Sequence, residues 1–252
     1  MAALVTASML PTAAATRKLK VLVLHSFGTN ATIAEAQWKM SRLPQTVGDL
    51  LDVHFCTAPT QCSPETVRNV GLEAVFPESD YGTKHQWWNA NDDAPPVYRH
   101  KEAALAHVDA LLRDASPKFD GVFGFSQGAA MGACVAARLL QPGAAAAQAP
   151  SFFWLHAGLP ARDAELAALF GDAPLESAGR FRMLVSSCEN DRLVKTASTR
   201  DLAAKFAGST FVALPGGSHT YPRFKPTDAS LATVRAWLEA QIEIVEKAGG
   251  GR

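Results

Sequence analysis

The 252-residue chain has no net charge, since 24 Lys plus Arg balance 24 Asp plus Glu. That balance removes the electrostatic pull toward nucleic acid or an anionic membrane surface, and neither is expected as the main partner. Cysteine is scarce: Cys56, Cys62, Cys134 and Cys188 form no Cys-x-x-Cys pair. This excludes the usual structural zinc pattern, so no metal site is expected, and it is too sparse for a disulfide scaffold. Free thiols in a reducing compartment, the cytoplasm, are the simplest reading. No apolar run approaches the length of a membrane span. Internal repeats and long linkers are also missing. With 48% hydrophobic and 19% charged residues, the composition is that of an ordinary globular protein.

Residues 1–17 carry almost no charge, and Arg17 is the only basic residue. They lack the basic start of a secretory signal and the arginines of a transit peptide, and read as a disordered tail. Residues 248–252 read as a flexible end. The stretch between, 18–247, reads as one domain.

Short apolar runs alternate with helical spacing along that stretch. Strands are expected at Lys20–His25, Leu51–Thr57, Phe119–Gly124, Phe152–His156, Arg180–Ser187 and Thr210–Leu214. Helices are expected at Asn30–Leu43, Tyr98–Ala115, Gln127–Leu140, Ala197–Phe206 and Asp228–Glu246. Strands apolar on both faces and separated by helices predict an α/β fold with a mostly parallel sheet covered on each side. Residues 58–98, rich in Pro, Asn, Asp and Trp, are too long for a bare connection and read as a cap or insertion. Function in such sheets lies at the carboxyl ends of the strands.

Gly124-Phe125-Ser126-Gln127-Gly128 fits G-x-S-x-G, placed directly between a predicted strand and a predicted helix. A serine on that sharp turn projects its hydroxyl clear of the sheet. A hydroxyl is a weak nucleophile and needs a base, which in turn needs an orienting acid. His219 lies after the last predicted strand and before the last helix, where a loop can carry an imidazole over the serine. Asp191 and Glu189 both follow the strand at 180–187, and Asp191 is preferred, because Glu189 better suits a solvated charge run. Acyl chemistry also needs donors for a developing oxyanion. The backbone N–H of Gln127 and that of Phe27, in the loop after the first strand, are assigned to it. His25 is expected to prop that loop. His54, His85, His100, His107 and His156 read as structural. Within the insertion, Phe76, Trp87 and Trp88, with Tyr81 and Pro95-Pro96, offer apolar surface for a substrate.

The segments LVLHSFGTNATIAEAQ, FDGVFGFSQGAAMG, ENDRLV and PGGSHTYP together resemble the FSH-type serine hydrolases, a eukaryotic α/β-hydrolase family, over about residues 19–240. The resemblance implies an α/β-hydrolase fold with a small cap, and Ser126 as nucleophile, Asp191 as acid and His219 as base. It also implies esterase or thioesterase activity without a cofactor. Two departures stand out. Ser26 replaces a glycine of the family's oxyanion loop, which would strain the loop if that position needs positive φ. Ser218 is inserted before His219. The expected function is therefore hydrolysis of a small acyl ester or thioester through an acyl-enzyme. The alternatives are a releasing thioesterase for polyketide or acyl-carrier substrates, an acyltransferase, or a ligand-binding protein on the same scaffold.

Overall fold

A computed structural model of the chain describes residues 17–90, 96–144 and 149–249. The expected tail apart from Arg17 and most of the expected flexible end lie outside those residues, as does Pro95. Six strands form the main sheet: β1 (Leu19–Leu24), β2 (Leu51–Cys56), β3 (Gly121–Phe125), β4 (Phe152–His156), β5 (Arg182–Cys188) and β6 (Thr210–Leu214). Their order is β2-β1-β3-β4-β5-β6, and every pairing is parallel. The larger helices are α1 (Ala31–Met40), α2 (Lys101–Asp114), α3 (Gln127–Leu139), α4 (Thr196–Ala204) and α5 (Ala229–Gly249). None of the helices among the described residues is long and apolar enough to cross a membrane.

Side chains alternate across a strand, so each strand feeds two cores. Leu22, Leu24, Val122, Phe153, Leu155, Met183 and Val185 point to one face, where they meet apolar residues of α2, α3 and α4. Val21, Val23, Phe123, Trp154 and Leu184 point to the other, under Trp38 of α1 and Leu231, Val234 and Leu238 of α5. This double burial explains why the strands read as continuous apolar runs.

The helix expected at 30–43 stops at Met40, because Arg42 takes φ 64 and a separate short turn, Leu43–Thr46, restarts around Pro44. The helix expected from Tyr98 starts at Lys101, because Tyr98–Arg99 pairs as a short strand with Asn89–Ala90. Both departures are local backbone events that apolar spacing does not encode.

Chain direction reverses between β1 and β3: β1 leads outward to β2, and the next strand returns on the far side of β1. A crevice opens at the carboxyl ends of strands at such a switch. Residues 25–30 and Ser126 therefore lie side by side. The segment 58–90 folds over this edge. Thr60–Gln61 pairs antiparallel with His85–Gln86, and the helices Pro64–Val70 and Glu78–Tyr81 lie between them. The cap is stitched to the loop after β1: His85 N–H donates to Thr29 O (2.7 Å), and Gly28 N–H donates to His85 O (3.0 Å). Asn30 caps α1 and reaches Tyr81 O and Thr83 O with its amide. Inside the cap, the buried Lys84 ammonium donates to Phe76 O (2.7 Å) and pairs with Glu73 (2.6 Å).

Candidate active site

Ser126 joins β3 to α3 with φ 55 and ψ −117, a backbone conformation that side-chain-bearing residues rarely adopt. Two glycines permit it. A Cβ on Gly124 would lie 2.5 Å from Gly128 O, and one on Gly128 would lie 2.2 Å from Leu24 O and 2.5 Å from His25 O. Helix α3 thus starts in direct contact with the backbone leaving β1. Gly128→Ala is expected to cost about 3 kcal/mol or more, the upper range for overpacking, because the obstacle is backbone. Urea unfolding measures it, and a loss under about 0.5 kcal/mol, the usual scatter for innocuous substitutions, would contradict the close approach.

The structure brings Ser126, His219 and Asp191 together from three loops. His219 Nε2 lies 2.8 Å from Ser126 Oγ, and His219 Nδ1 lies 2.7 Å from Asp191 Oδ2. The other carboxylate oxygen of Asp191 accepts the N–H groups of Leu193 and Val194, each at 2.9 Å. Its side chain is wholly buried, whereas Glu189 is exposed, which separates the two acids that sequence left as alternatives. Such a set can pass a proton from the serine hydroxyl to the imidazole while the carboxylate stabilises the imidazolium.

The N–H groups of Phe27 and Gln127 have no acceptor among the described residues, and both residues border the space at Ser126. The loop carrying Phe27 is fixed through His25. Its Nε2 accepts from Ala58 N–H (2.9 Å), so Nδ1 carries the proton and donates to Ser26 O (2.7 Å). Ser26 does not take positive φ. Gly28 takes it instead, at 71°, so the serine departure brings no backbone strain.

Two cavities flank Ser126. One, about 220 Å³, is bordered by Phe27, Trp88, Tyr98, Gln127, Leu159 and Arg162. The other, about 330 Å³, is bordered by Phe27, Gln37, Leu72, Leu193, Val194 and His219. A further hollow of about 200 Å³ shares Gln37, Leu72 and His219 with it, and Phe76 lies there. Trp88 stacks on Tyr98 at 4.8 Å between ring centroids. Trp87 borders neither cavity at Ser126. It is fully buried, and its indole N–H donates to His25 O (2.8 Å). The Gln127 side chain, which sequence reasoning did not single out, grips both tryptophans: its oxygen accepts Trp87 N–H (2.9 Å) and its amide donates to Trp88 O (2.8 Å). No sequence signal marks that grip.

Burial holds two neutral imidazoles near the site. It lowers the His25 pKa to about 4 and the His156 pKa to about 3. Between the ordinary histidine value and these values the unfolded chain binds protons that the folded chain refuses, so stability must fall as pH drops from about 6.5. Near pH 5, with about two protons taken up on unfolding, the slope is about 2.7 kcal/mol per pH unit. Urea titrations at pH 6.5, 5.8 and 5 test it, and a flat stability over that range would refute the buried neutral pair.

A parallel sheet covered on both faces, with a serine on a strained strand-to-helix turn and an imidazole and a carboxylate from later loops, defines the α/β-hydrolase class. Residues 15–231 match the family model described as Serine hydrolase (FSH1). The chain belongs to that family of serine hydrolases. It is similar to esterase OVCA2 of Danio rerio, at 27% identity over 217 residues, covering 79% of this chain and 88% of that one. An uncharacterised hydrolase of Schizosaccharomyces pombe is 26% identical over 130 residues, which are 50% of this chain and 30% of the relative, so the match spans under a third of that longer protein. Among solved structures, Zea mays acyl-protein thioesterase 2 shares the fold with a TM-score of 0.58 at 19% identity, covering 90% of this chain and 95% of that one.

Proposed function

We propose that Ser126, His219 and Asp191 form the catalytic triad of an enzyme that hydrolyses esters or thioesters of a small acyl group. The continuous hydrogen-bonded line from Ser126 Oγ through His219 to Asp191, at 2.8 and 2.7 Å, carries this reading. Ser126 attacks the acyl carbonyl and His219 takes its proton. The carbonyl oxygen becomes an oxyanion held by the N–H groups of Phe27 and Gln127. Nε2 of His219 then protonates the departing alcohol or thiol, leaving an acyl-serine. Water, deprotonated by His219, attacks that acyl group, releasing the acid and restoring the serine hydroxyl. The relatives named as esterase and thioesterase support the bond type.

His219 protonates the leaving group, so the leaving group lies on the side of the cavity that His219 borders, among Leu72, Leu193 and Val194. The acyl group then occupies the smaller cavity beside Trp88 and Tyr98. The cap, residues 58–98, forms part of both walls, and the whole acts within one domain. Four free thiols suit a cytoplasmic setting.

The test is intact-mass analysis after treatment with a fluorophosphonate, with peptide mapping. One adduct, on Ser126 and absent in Ser126→Ala, is expected. A well-folded protein that takes no adduct would overturn the triad assignment. Paired oxygen esters and thioesters of one acyl group then rank the two leaving groups.

A further inference from the structure

His156, the last residue of β4, is fully buried and takes no part in the proton transfers described above. Three observations converge on it. Its backbone carbonyl accepts the N–H of Ser126 at 2.9 Å, which pins the turn carrying the nucleophile. Its Nε2 lies 3.0 Å from the carbonyl oxygen of Thr220, the residue that follows His219. Its Nδ1 lies 2.8 Å from Ser186 Oγ, which also accepts the indole N–H of Trp154 at 2.9 Å.

These contacts leave one consistent proton arrangement. The Thr220 carbonyl can only accept, so the single hydrogen of the neutral ring sits on Nε2; Nδ1 then accepts the Ser186 hydroxyl proton, while Trp154 donates to a lone pair of the same oxygen. The tautomer is thus set from the Thr220 side, and the Ser186 hydroxyl completes it. Burial lowers the His156 pKa to about 3 and so keeps this ring neutral near pH 7. No second positive charge then arises beside the imidazolium that forms on His219. Phe125 separates the two imidazoles, with ring centroids 5.9 Å from His156 and 5.0 Å from His219. The next residue, Ala157, is held at φ 52 with its N–H on Ser186 O at 2.8 Å, so the backbone at this point is both strained and tied.

We infer that His156 is a positioning residue that sets the distance between nucleophile and base, its main chain holding the Ser126 turn and its ring holding the His219 loop. This inference rests on the triad reading. The relay Trp154–Ser186–His156–Thr220 crosses from β4 and β5 to the loop after β6.

The experiment compares wild type with His156→Phe, His156→Gln and Ser186→Ala. It reads kcat and KM for p-nitrophenyl butyrate from pH 5 to 9, together with thermal unfolding. Fluorophosphonate labelling of wild type separates a failure of the triad reading from a failure of this inference. His156→Phe is expected to lower kcat about 10²-fold, the cost of a misplaced catalytic contact, with KM within about twofold. The acid limb of its kcat/KM profile should move to lower pH, because a slack loop weakens the contact of His219 with Asp191. His156→Gln places an amide N–H at the same carbonyl and should recover about tenfold of the lost kcat. Ser186→Ala removes the hydroxyl that completes the tautomer, and should lower kcat about tenfold with KM unchanged even if His156→Phe fails to fold. Unchanged kcat and pH profile in a folded His156→Phe or in Ser186→Ala would overturn the inference. So would a His156→Gln variant that loses as much kcat as His156→Phe, with the losses following the drop in melting temperature.

Discussion

Ser126→Ala is expected to lower kcat for an activated ester about 10⁶-fold while the fold is retained. In the proposed mechanism the hydroxyl forms the covalent intermediate, and His219 and Asp191 are already committed to each other at 2.7 Å. Alanine at the turn keeps the positive φ that Ser126 already takes, so the strain is not relieved or increased by the change. The N–H groups of Phe27 and Gln127 and the binding cavities persist, so a residual acceleration of about 10³-fold over water should remain. Initial rates with a p-nitrophenyl ester, corrected for spontaneous hydrolysis, measure the loss. A variant within tenfold of wild type would place the chemistry elsewhere.

Asp191→Asn is expected to lower kcat about 10⁴-fold, for a reason visible in the hydrogen bonds. Oδ1 of Asp191 is claimed by the N–H groups of Leu193 and Val194. In an asparagine the carboxamide oxygen must keep that place, because an NH₂ group there would face two donors. The NH₂ then turns toward Nδ1 of His219, which must become an acceptor. The proton moves to Nε2, so His219 presents a hydrogen to Ser126 instead of a lone pair and cannot act as base. Glu189→Gln, two residues away but exposed, is the control and should leave kcat unchanged. Equal losses in both variants would show that general charge near the loop matters, and not the tautomer.

The parts of this site written in one stretch of chain were readable before the fold was known. Gly124 to Gly128 sit between the short apolar run around Val122 and Phe123 and a small-residue helix, and their spacing already implies the turn. The sequence favoured Asp191 over Glu189 only from the charge run around it; the physical difference, which of the two carboxylates the body of the protein buries, is visible only in the fold. Trp87 and Trp88 make the same point: adjacent residues on an extended segment face opposite ways, one onto the His25 carbonyl and one into the cavity beside Ser126. His156 gave no local sign at all, since its three partners come from positions 126, 186 and 220. The helix boundaries at Met40 and Lys101 depend on left-handed residues, Arg42 and His100, whose types do not announce that conformation.

The stitching of His85 to Thr29 and Gly28 has a mechanical consequence. A cover that swings aside must first part from what lies beneath it, and here the seam runs through the same loop that presents Phe27. Lifting the cover would pull on the Phe27 N–H that the proposed mechanism uses. The exposed side chains of Val75 and Leu193 lie to the side of this seam. Cover and loop are thus joined, and transplanting the cover from a relative is expected to change the turnover rate together with the substrate preference.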